Sequence, residues 1–557
     1  MTCTAIAIDA ANYPEDGRNS EQHQNSGVSV TNEDDRDLLK LGYRSVLARG
    51  WSSFDNFACS FAALNCVGGI RVLFYIALSG GGPAAIWSSW VSGSILSVIT
   101  AACLAEACSS YPAAGSIYYW AFRSWGGGKL GRFISFLVAA WTLVAWTAFL
   151  ASDSFGVANY LISEIVAFDP KTSFPYETAD VRARAVAWVI SLLFLAIATM
   201  LNFLPPRMYS WVFRAGVTVI IIDMLLNFIW LPIGVSRTYG FQSAEYVFTS
   251  TYNGGDTSPG LNWVLSWYLV GSCLVGQDAS GHVAEETVSA KKAAAKGIFW
   301  ATVASALCGF PIIILFLFCM PPIETFYDTS VPQPFINMYA MALGPHAHVV
   351  MTIVAMIGAI LNTSISLVAV SRLVFAVARD GVFPFSDVLS RVSKSKQPHN
   401  AVIFISVIAA LLLCTQLPSQ VAFSSLVSTS AAGSLAAYGL VGIGRAFITR
   451  KSFRPGFWDL GRFGVVAAVV TFLWNGFAFS VLCAPPYSDT AIDKDSTLFN
   501  YAIVIMGGVT IIAIVEWWRK SNGDWFEHLE IVDSDIETEH SIGPEEKTNV
   551  SPDMTAV

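Results

Sequence analysis

Four windows of this chain carry no charged residue at all: Ala185 to Phe203, Gly297 to Met320, Phe463 to Tyr487 and Leu498 to Val515. A helix crosses the hydrocarbon of a bilayer with about 20 apolar residues. Inside that hydrocarbon every backbone N–H and C=O must find its partner within the protein, which leaves helices or closed barrels. Unbroken apolar runs are the helical pattern, because barrel strands alternate apolar and polar residues. The fold class expected is therefore an all-α polytopic membrane protein. Composition agrees: the chain has 557 residues, 13% of them charged, about half the share of an average soluble domain.

Taken in order, residues 1–50 are polar and rich in Asn, Ser, Asp and Glu, the composition of a disordered tail. They lack a basic start followed by an apolar run, so the first membrane helix is expected to serve as its own targeting signal. Twelve spans are expected: Phe54–Leu78, Ala84–Cys108, Phe133–Tyr160, Ala185–Phe203, Met208–Ile233, Leu261–Ala284, Gly297–Met320, His348–Val377, Ala401–Leu417, Val421–Ala446 and the last two uncharged runs. Tyr111 to Gly127 suits a short helix at the membrane interface, and Pro334 to Gly344 an amphipathic helix in an outer loop. Residues 523–557 form an acidic tail, also expected to be disordered. With both tails inside, the outer loops hold Lys171, Arg182, Arg184, Arg237 and Lys494, and Arg71 lies within the membrane. That leaves 26 of the 32 Lys and Arg on the cytoplasmic side, the segregation membrane insertion favours.

The stretch YLVGSCLVGQDASGHVAEET, Tyr268 to Thr287, starts like the middle of a membrane helix and ends in charge. Gly271 and Gly276 permit the helix to unwind there; the plainer reading is that they only let helices pack closely. An acid just past such a break, here Asp278, marks a functional site by default. A second break is expected at CVGGIR, Cys66 to Arg71, five helices earlier. Matched breaks in helices one and six are the mark of a LeuT-like five-plus-five inverted repeat with its substrate site at the midplane. Residues 51–233 and 261–447 would be the two repeats, and residues 463–518 two extra C-terminal helices.

Beyond the spans, five motifs carry a resemblance: LGYRSVLARGWSSFDNF (Leu41 to Phe57), GGPAAIWSSW (Gly81 to Trp90), LAEACSSYPAAGSIYYWA (Leu104 to Ala121), GQDASGHVAEET (Gly276 to Thr287) and SRLVFAVARDGVFPF (Ser371 to Phe385). On these the chain resembles the amino acid–polyamine–organocation transporters, in the fungal branch that takes up amino acids, 4-aminobutyrate (GABA) and choline. The resemblance spans about Leu41 to Trp518. It implies that Cys66, Val67, Gly68, Gly69 and Ile70, with Leu274, Val275, Gly276, Gln277 and Asp278, contact the substrate. The chain departs from the family pattern at Arg71, where an uncharged residue is usual, and at Ser272, where some relatives place a gating aromatic.

The remaining charges sort by depth. Arg71 is expected to pair with Asp223, or else with Asp153, because an unpaired charge in the membrane is expensive. Glu106 reads as part of an inner network. Glu285 and Glu286 read as inner-gate residues paired with Lys291 or Arg379. His282 reads as a packed, hydrogen-bonded histidine, and Asn362, Thr363 and Ser366 as hydroxyl and amide groups facing the site or a vestigial sodium position. Asp278 itself is open between proton carrier and amine ligand. The cysteines lie mostly in apolar segments without CxxC spacing, so free thiols are expected rather than a metal site.

No phosphate loop or nucleophile elbow is present, so the chain reads as a transporter without a cofactor and not as an enzyme. Its expected function is import of amino acids or small amines such as GABA and choline by proton symport with alternating access. The alternatives are a nutrient sensor or an exchanger on the same fold. The expected partners are the small-molecule substrate, protons and the lipid bilayer, without nucleic acid; the tails are candidate targets of ubiquitin-ligase regulation. The expected location is the plasma membrane, with the vacuolar membrane as the alternative and both termini cytoplasmic.

Overall fold

The computed structural model describes residues 33–168, 180–327, 331–418, 420–485, 487 and 499–520. Residues 1–32 and 521–557, with Lys171 and Lys494, lie outside them, and so do most of the tails expected to be disordered. Residues 33–50 are a correction. Glu33–Lys40 is a helix, α1, whose Asp34 carboxylate accepts from the backbone N–H of Ser289 (2.9 Å) and Ala290 (3.1 Å). It caps the helix that starts there, and capping of that kind complements the helix dipole.

The architecture is all-helical, with no strand among the described residues. Helix one is two pieces, α2 (Ser53–Leu64) and α3 (Cys66–Ser79). α4 (Gly82–Ser110), α5 (Ile117–Ser124), α6 (Gly128–Phe168), α7 (Val181–Leu201) and α8 (Pro206–Arg237) complete the first half. After α9 (Ala244–Thr249), helix six is three short pieces: α10 (Pro259–Leu265), α11 (Trp267–Cys273) and α12 (Ala279–His282). Then follow α13 (Ala290–Cys319), α14 (Ile323–Tyr327), α15 (Pro334–Arg379), α16 (Ser386–Leu389), α17 (His399–Leu413), α18 (Gln420–Ile443), α19 (Gly464–Cys483) and α20 (Ala502–Lys520). α15 is bent at Gly344 (φ 74°), which separates the expected outer-loop helix from the span proper.

Eleven helices among the described residues are long and apolar enough to cross a membrane. The expected twelfth is helix six, which is missing from that count because its break leaves no continuous helix. The spans differ in surroundings: the apolar window of α18 is 72% buried and that of α20 only 22%. The helices containing the breaks, with α4, α6, α15 and α18, make the centre. α7, α8, α17 and α20 turn large apolar side chains such as Leu193 and Ile511 outward.

The Tyr111 to Gly127 segment contains the expected short helix, α5, whose Tyr118, Tyr119 and Trp120 are buried and packed in two of the core clusters. Its aromatics are core residues whose polar tips find partners, as with Trp120 Nε1, which donates to the Tyr111 carbonyl (3.0 Å).

Candidate functional site

Asn65 is the pivot of helix one. It adopts left-handed backbone angles (φ 34°, ψ 56°), ending α2 and starting α3. Asn tolerates that region better than other non-glycine residues. The break is thus one residue before the expected one, and Cys66 to Ile70 are helical. Gly68 and Gly69 serve close approach instead. A Cβ on Gly68 would lie 2.5 Å from the Asn65 side chain, and one on Gly69 would lie 3.1 Å from Cys273 Sγ across the gap to α11. In helix six the expected break is present at 274–278, turning at Gly276 (φ 94°). Gly271 stays inside α11, where it packs on Leu482.

Both breaks border one cavity of about 130 Å³. Its walls come from helix one (Asn65, Gly68, Gly69), α6 (Phe149, Ser152, Asp153, Tyr160), helix six (Tyr268, Ser272, Cys273, Val275), α15 (Asn362) and α18 (Ser430, Ala431). Of the ten residues expected to contact substrate, Gly68, Gly69 and Val275 line it. Cys66, Val67 and Ile70 are fully buried on other faces of α3, and Leu274, Gly276, Gln277 and Asp278 are buried in the break without lining the cavity. Asp153 is the one charged side chain among the described lining residues; its Oδ2 accepts a 2.5 Å bond from Thr363 Oγ1. Ser366 bonds Asn362 Oδ1 (3.1 Å), so the α15 polar residues do reach this region. Because α3 begins at the cavity, its first-turn N–H groups have no partner earlier in the helix.

Arg71 does not face the cavity. Its Nη2 bonds both Asp223 oxygens, at 2.6 and 2.7 Å. Asn227 donates to Asp223 Oδ1 (2.9 Å), and Tyr339 OH donates to Asn227 (2.7 Å). The guanidinium carbon lies 6.0 Å from the ring of Tyr160, which separates it from the cavity. Asp153, the alternative partner, is left to the site.

On the other side of the break Asp278 is fully buried. It accepts from Tyr438 OH (2.5 Å) and meets His282 Nε2 (3.1 Å); His282 is packed and hydrogen-bonded, as read. Glu285 pairs with Arg379 (2.9 and 3.1 Å). Lys291, offered as an alternative, instead pairs with Asp37 (2.8 Å), because α1 lies against the start of α13. Glu286 takes Arg372 (2.6 Å). Glu106 takes Arg445 (3.2 Å) and the Leu460 N–H (3.1 Å), remote from the cavity.

Residues 54–509 match the family described as amino acid permease. The chain belongs to the amino acid permease family. A thiamine transporter of Schizosaccharomyces pombe, thi9, is 45% identical, over 88% of this chain and 86% of its own length. The Arabidopsis thaliana amino-acid permease BAT1 is 29% identical, over 88% of this chain and 95% of its own. The Saccharomyces cerevisiae GABA-specific permease is 28% identical, over 86% and 83%. The permease is a multi-pass membrane transporter and not an enzyme.

Asn65, Tyr438 and Arg372 of the permease escape a motif reading. Asn65 precedes two glycines that draw attention to themselves. Tyr438 is a single tyrosine in a small-residue helix, with no pattern to single it out. Arg372 stands in the SRLVFAVARDGVFPF block beside the more conspicuous Arg379. Just past α15, Asp380 is 5% exposed and accepts from Tyr43 OH (3.2 Å). Burial pushes its carboxyl up to about 7, against the opposing pull of Arg379. The folded permease then holds this proton more tightly than the unfolded chain. The contribution to stability is complete below the ordinary carboxylate range and is lost as pH rises through about 7. Thermal midpoints in detergent should rise as pH falls from about 8 to about 5.5, and Asp380→Asn should flatten that slope. An equal slope in the variant would remove Asp380 as its source.

Proposed function

We propose that the permease imports a small organic cation across the plasma membrane in symport with protons, with thiamine the first candidate. The observation that carries this reading is Asp153, the one charged side chain among the described residues that line the cavity. Phe149, Tyr160 and Tyr268 stand around the same space. A carboxylate with aromatic faces is the chemistry that holds a cationic ring or a quaternary ammonium. The 45% identity to a thiamine transporter supports the same class. Choline and the ammonium end of GABA or of an amino acid offer the same charge. A second reading, import of amino acids or GABA, is favoured by the α3 N-terminus at the cavity, whose N–H groups suit a carboxylate.

Alternating access in this reading turns on the breaks at Asn65 and 274–278, with helices 1–5 and 6–10 as inverted repeats. The Glu285–Arg379 and Glu286–Arg372 pairs close the inner side, and both termini are cytoplasmic. Gradient-driven accumulation separates this from a sensor, which would bind without uptake, and from an exchanger, which would need substrate on both sides.

The test is uptake of labelled thiamine in a yeast lacking its own thiamine permeases, with choline, GABA and amino acids as competitors. Thiamine uptake by the wild type, inhibited by organic cations, is expected. Asp153→Asn should keep surface delivery but lose about 1.5–3 kcal/mol of charge-assisted binding, roughly a tenfold or greater loss of affinity. Full-affinity uptake by the Asn variant, or inhibition only by zwitterions, would count against the cation reading.

A further inference from the structure

Asp278 and His282 stand one turn apart just past the helix-six break, and both are fully buried. His282 Nε2 lies 3.1 Å from Asp278 Oδ2, and His282 Nδ1 lies 3.2 Å from the carbonyl oxygen of Ala114. A carbonyl oxygen only accepts hydrogen bonds, and so does an ionised carboxylate, while a neutral imidazole has one N–H to give. With the carboxylate ionised and the imidazole neutral, one of the two contacts would set lone pair against lone pair between two fully buried side chains. Both contacts are satisfied when the pair carries one further proton. The imidazole is then doubly protonated beside a carboxylate, or its Nε2 accepts from a protonated Asp278. We infer that the Asp278–His282 pair is the permease's proton-binding site. The inference rests on the proton-symport reading and gives it an address. Release is simple: the proton leaves to water, and a neutral imidazole and a carboxylate remain.

Two connections make this pair suited to coupling. Toward the cavity, Tyr438 OH donates to Asp278 Oδ1 and accepts from the N–H of Gly276 (3.1 Å), the turning residue of the break beside Val275. Toward the inner side, Ala114, whose carbonyl faces His282, gives its own N–H to Glu285 Oε1 (2.9 Å), the partner of Arg379. Losing the proton costs His282 one of its two bonds and so loosens either the break or the loop that steadies Glu285. The other ionisable groups facing the pair are Cys59 of α2, Tyr438 of α18, Glu285 and Glu286, and Arg372 and Arg379 of α15. From α13 comes the uncharged Thr302, while Lys292 and Lys296 are exposed. Both arginines are held by their own glutamates, so neither serves as the counter-charge of Asp278.

The Trp146 ring lies 6.4 Å from the His282 ring, and a protonated imidazole quenches a neighbouring indole. In purified permease, fluorescence titrated against pH should contain a component that Trp146→Phe removes and His282→Gln removes too. In proteoliposomes, His282→Gln should lower proton-driven accumulation of labelled thiamine more than tenfold and thiamine counterflow without a gradient less than threefold. A glutamine amide still donates toward Ala114 or Asp278, which preserves the packing. If His282→Gln aggregates, Asp278→Asn takes its place in the transport measurement with the same expected result, and in the fluorescence titration it should move the Trp146-dependent component to lower pH. A variant that accumulates thiamine as the wild type does, or that keeps the Trp146-dependent titration where the wild type has it, overturns the assignment. If the wild type itself shows no proton-driven thiamine uptake, the symport or substrate reading has failed instead. The fluorescence titration then decides the proton site alone: loss in His282→Gln upholds it, and persistence sinks it.

Discussion

Replacing Arg71 by alanine is expected to destabilise the permease by about 3–5 kcal/mol, and replacing Arg71 and Asp223 together to do less damage than either change alone. Arg71 is completely buried in α3, and its partner Asp223 in α8 is 5% exposed. Neither has water to fall back on when the other is removed. Deleting the guanidinium strands a carboxylate whose remaining support is Asn227. Deleting the carboxylate strands a guanidinium that is completely buried and whose other neighbours are the uncharged Tyr160 and Tyr339. The tyrosine rings of Tyr160 and Tyr339 near the guanidinium offer some relief through their faces, of order 1–2 kcal/mol. That is too little to replace an ion pair. Asp223→Ala should therefore be at least as harmful as Arg71→Ala, and the double variant milder than both. Folded yield and thermal midpoint in detergent report the ranking. A double variant no better than the worse single one would dismiss the pairing as a source of stability and return Arg71 as a receptor for an acidic substrate group.

The same pair shows what a sequence of this kind discloses. Spans are legible because hydrocarbon imposes a length and forbids charge, and the Arg71–Asp223 match is legible because two costly charges at one depth must meet. The helix-six break is legible because a glycine beside an acid has few other uses in a membrane. The helix-one break was misplaced by one residue for a physical reason. Asn65 takes the left-handed turn, and the two glycines after it are spent on letting α3 approach its neighbours. Glycine spacing alone does not separate unwinding from close packing; Gly271 and Gly276 divide the same way. Lateral choices are not written in the chain either. Lys291 and Arg372 are each plausible partners for an inner glutamate, and only packing decides that α1 claims the first and Glu286 the second. Tyr438 joins Asp278 from a helix 160 residues away, a distance no local pattern bridges.

That packing makes Glu286 a junction of several segments and leads to the second large expected effect. Its Oε1 takes Arg372 Nε at 2.6 Å and its Oε2 takes Gln397 Nε2 at 2.8 Å. Its backbone oxygen receives the N–H groups of Gly50 (2.9 Å) and Trp51 (3.0 Å). Arg372 also bonds Gln397 and lies 5.6 Å from the Trp51 ring. One residue thus ties the end of helix six to α15, to the segment before α17 and to the entry of helix one. Glu285, its neighbour, has a more forgiving partner: the Arg379 side chain is 18% exposed, against 2% for Arg372. When Glu285→Gln removes the charge, Arg379 can draw on water and on the Tyr43 ring, 4.0 Å away. When Glu286→Gln does the same, Arg372 is left charged in a dry interior, a change of about 3–5 kcal/mol. Glu286→Gln should therefore lose most of its folded yield. Glu285→Gln should fold, and if these pairs close the inner side as proposed, that side should open more readily, read as faster labelling of a cysteine introduced there. The pair Glu286→Gln with Arg372→Gln should recover part of the yield. Equal yields for the two single glutamine variants would mean that burial of the partner arginine does not set the difference, and the inner pairs would have to be ranked by something other than access to water.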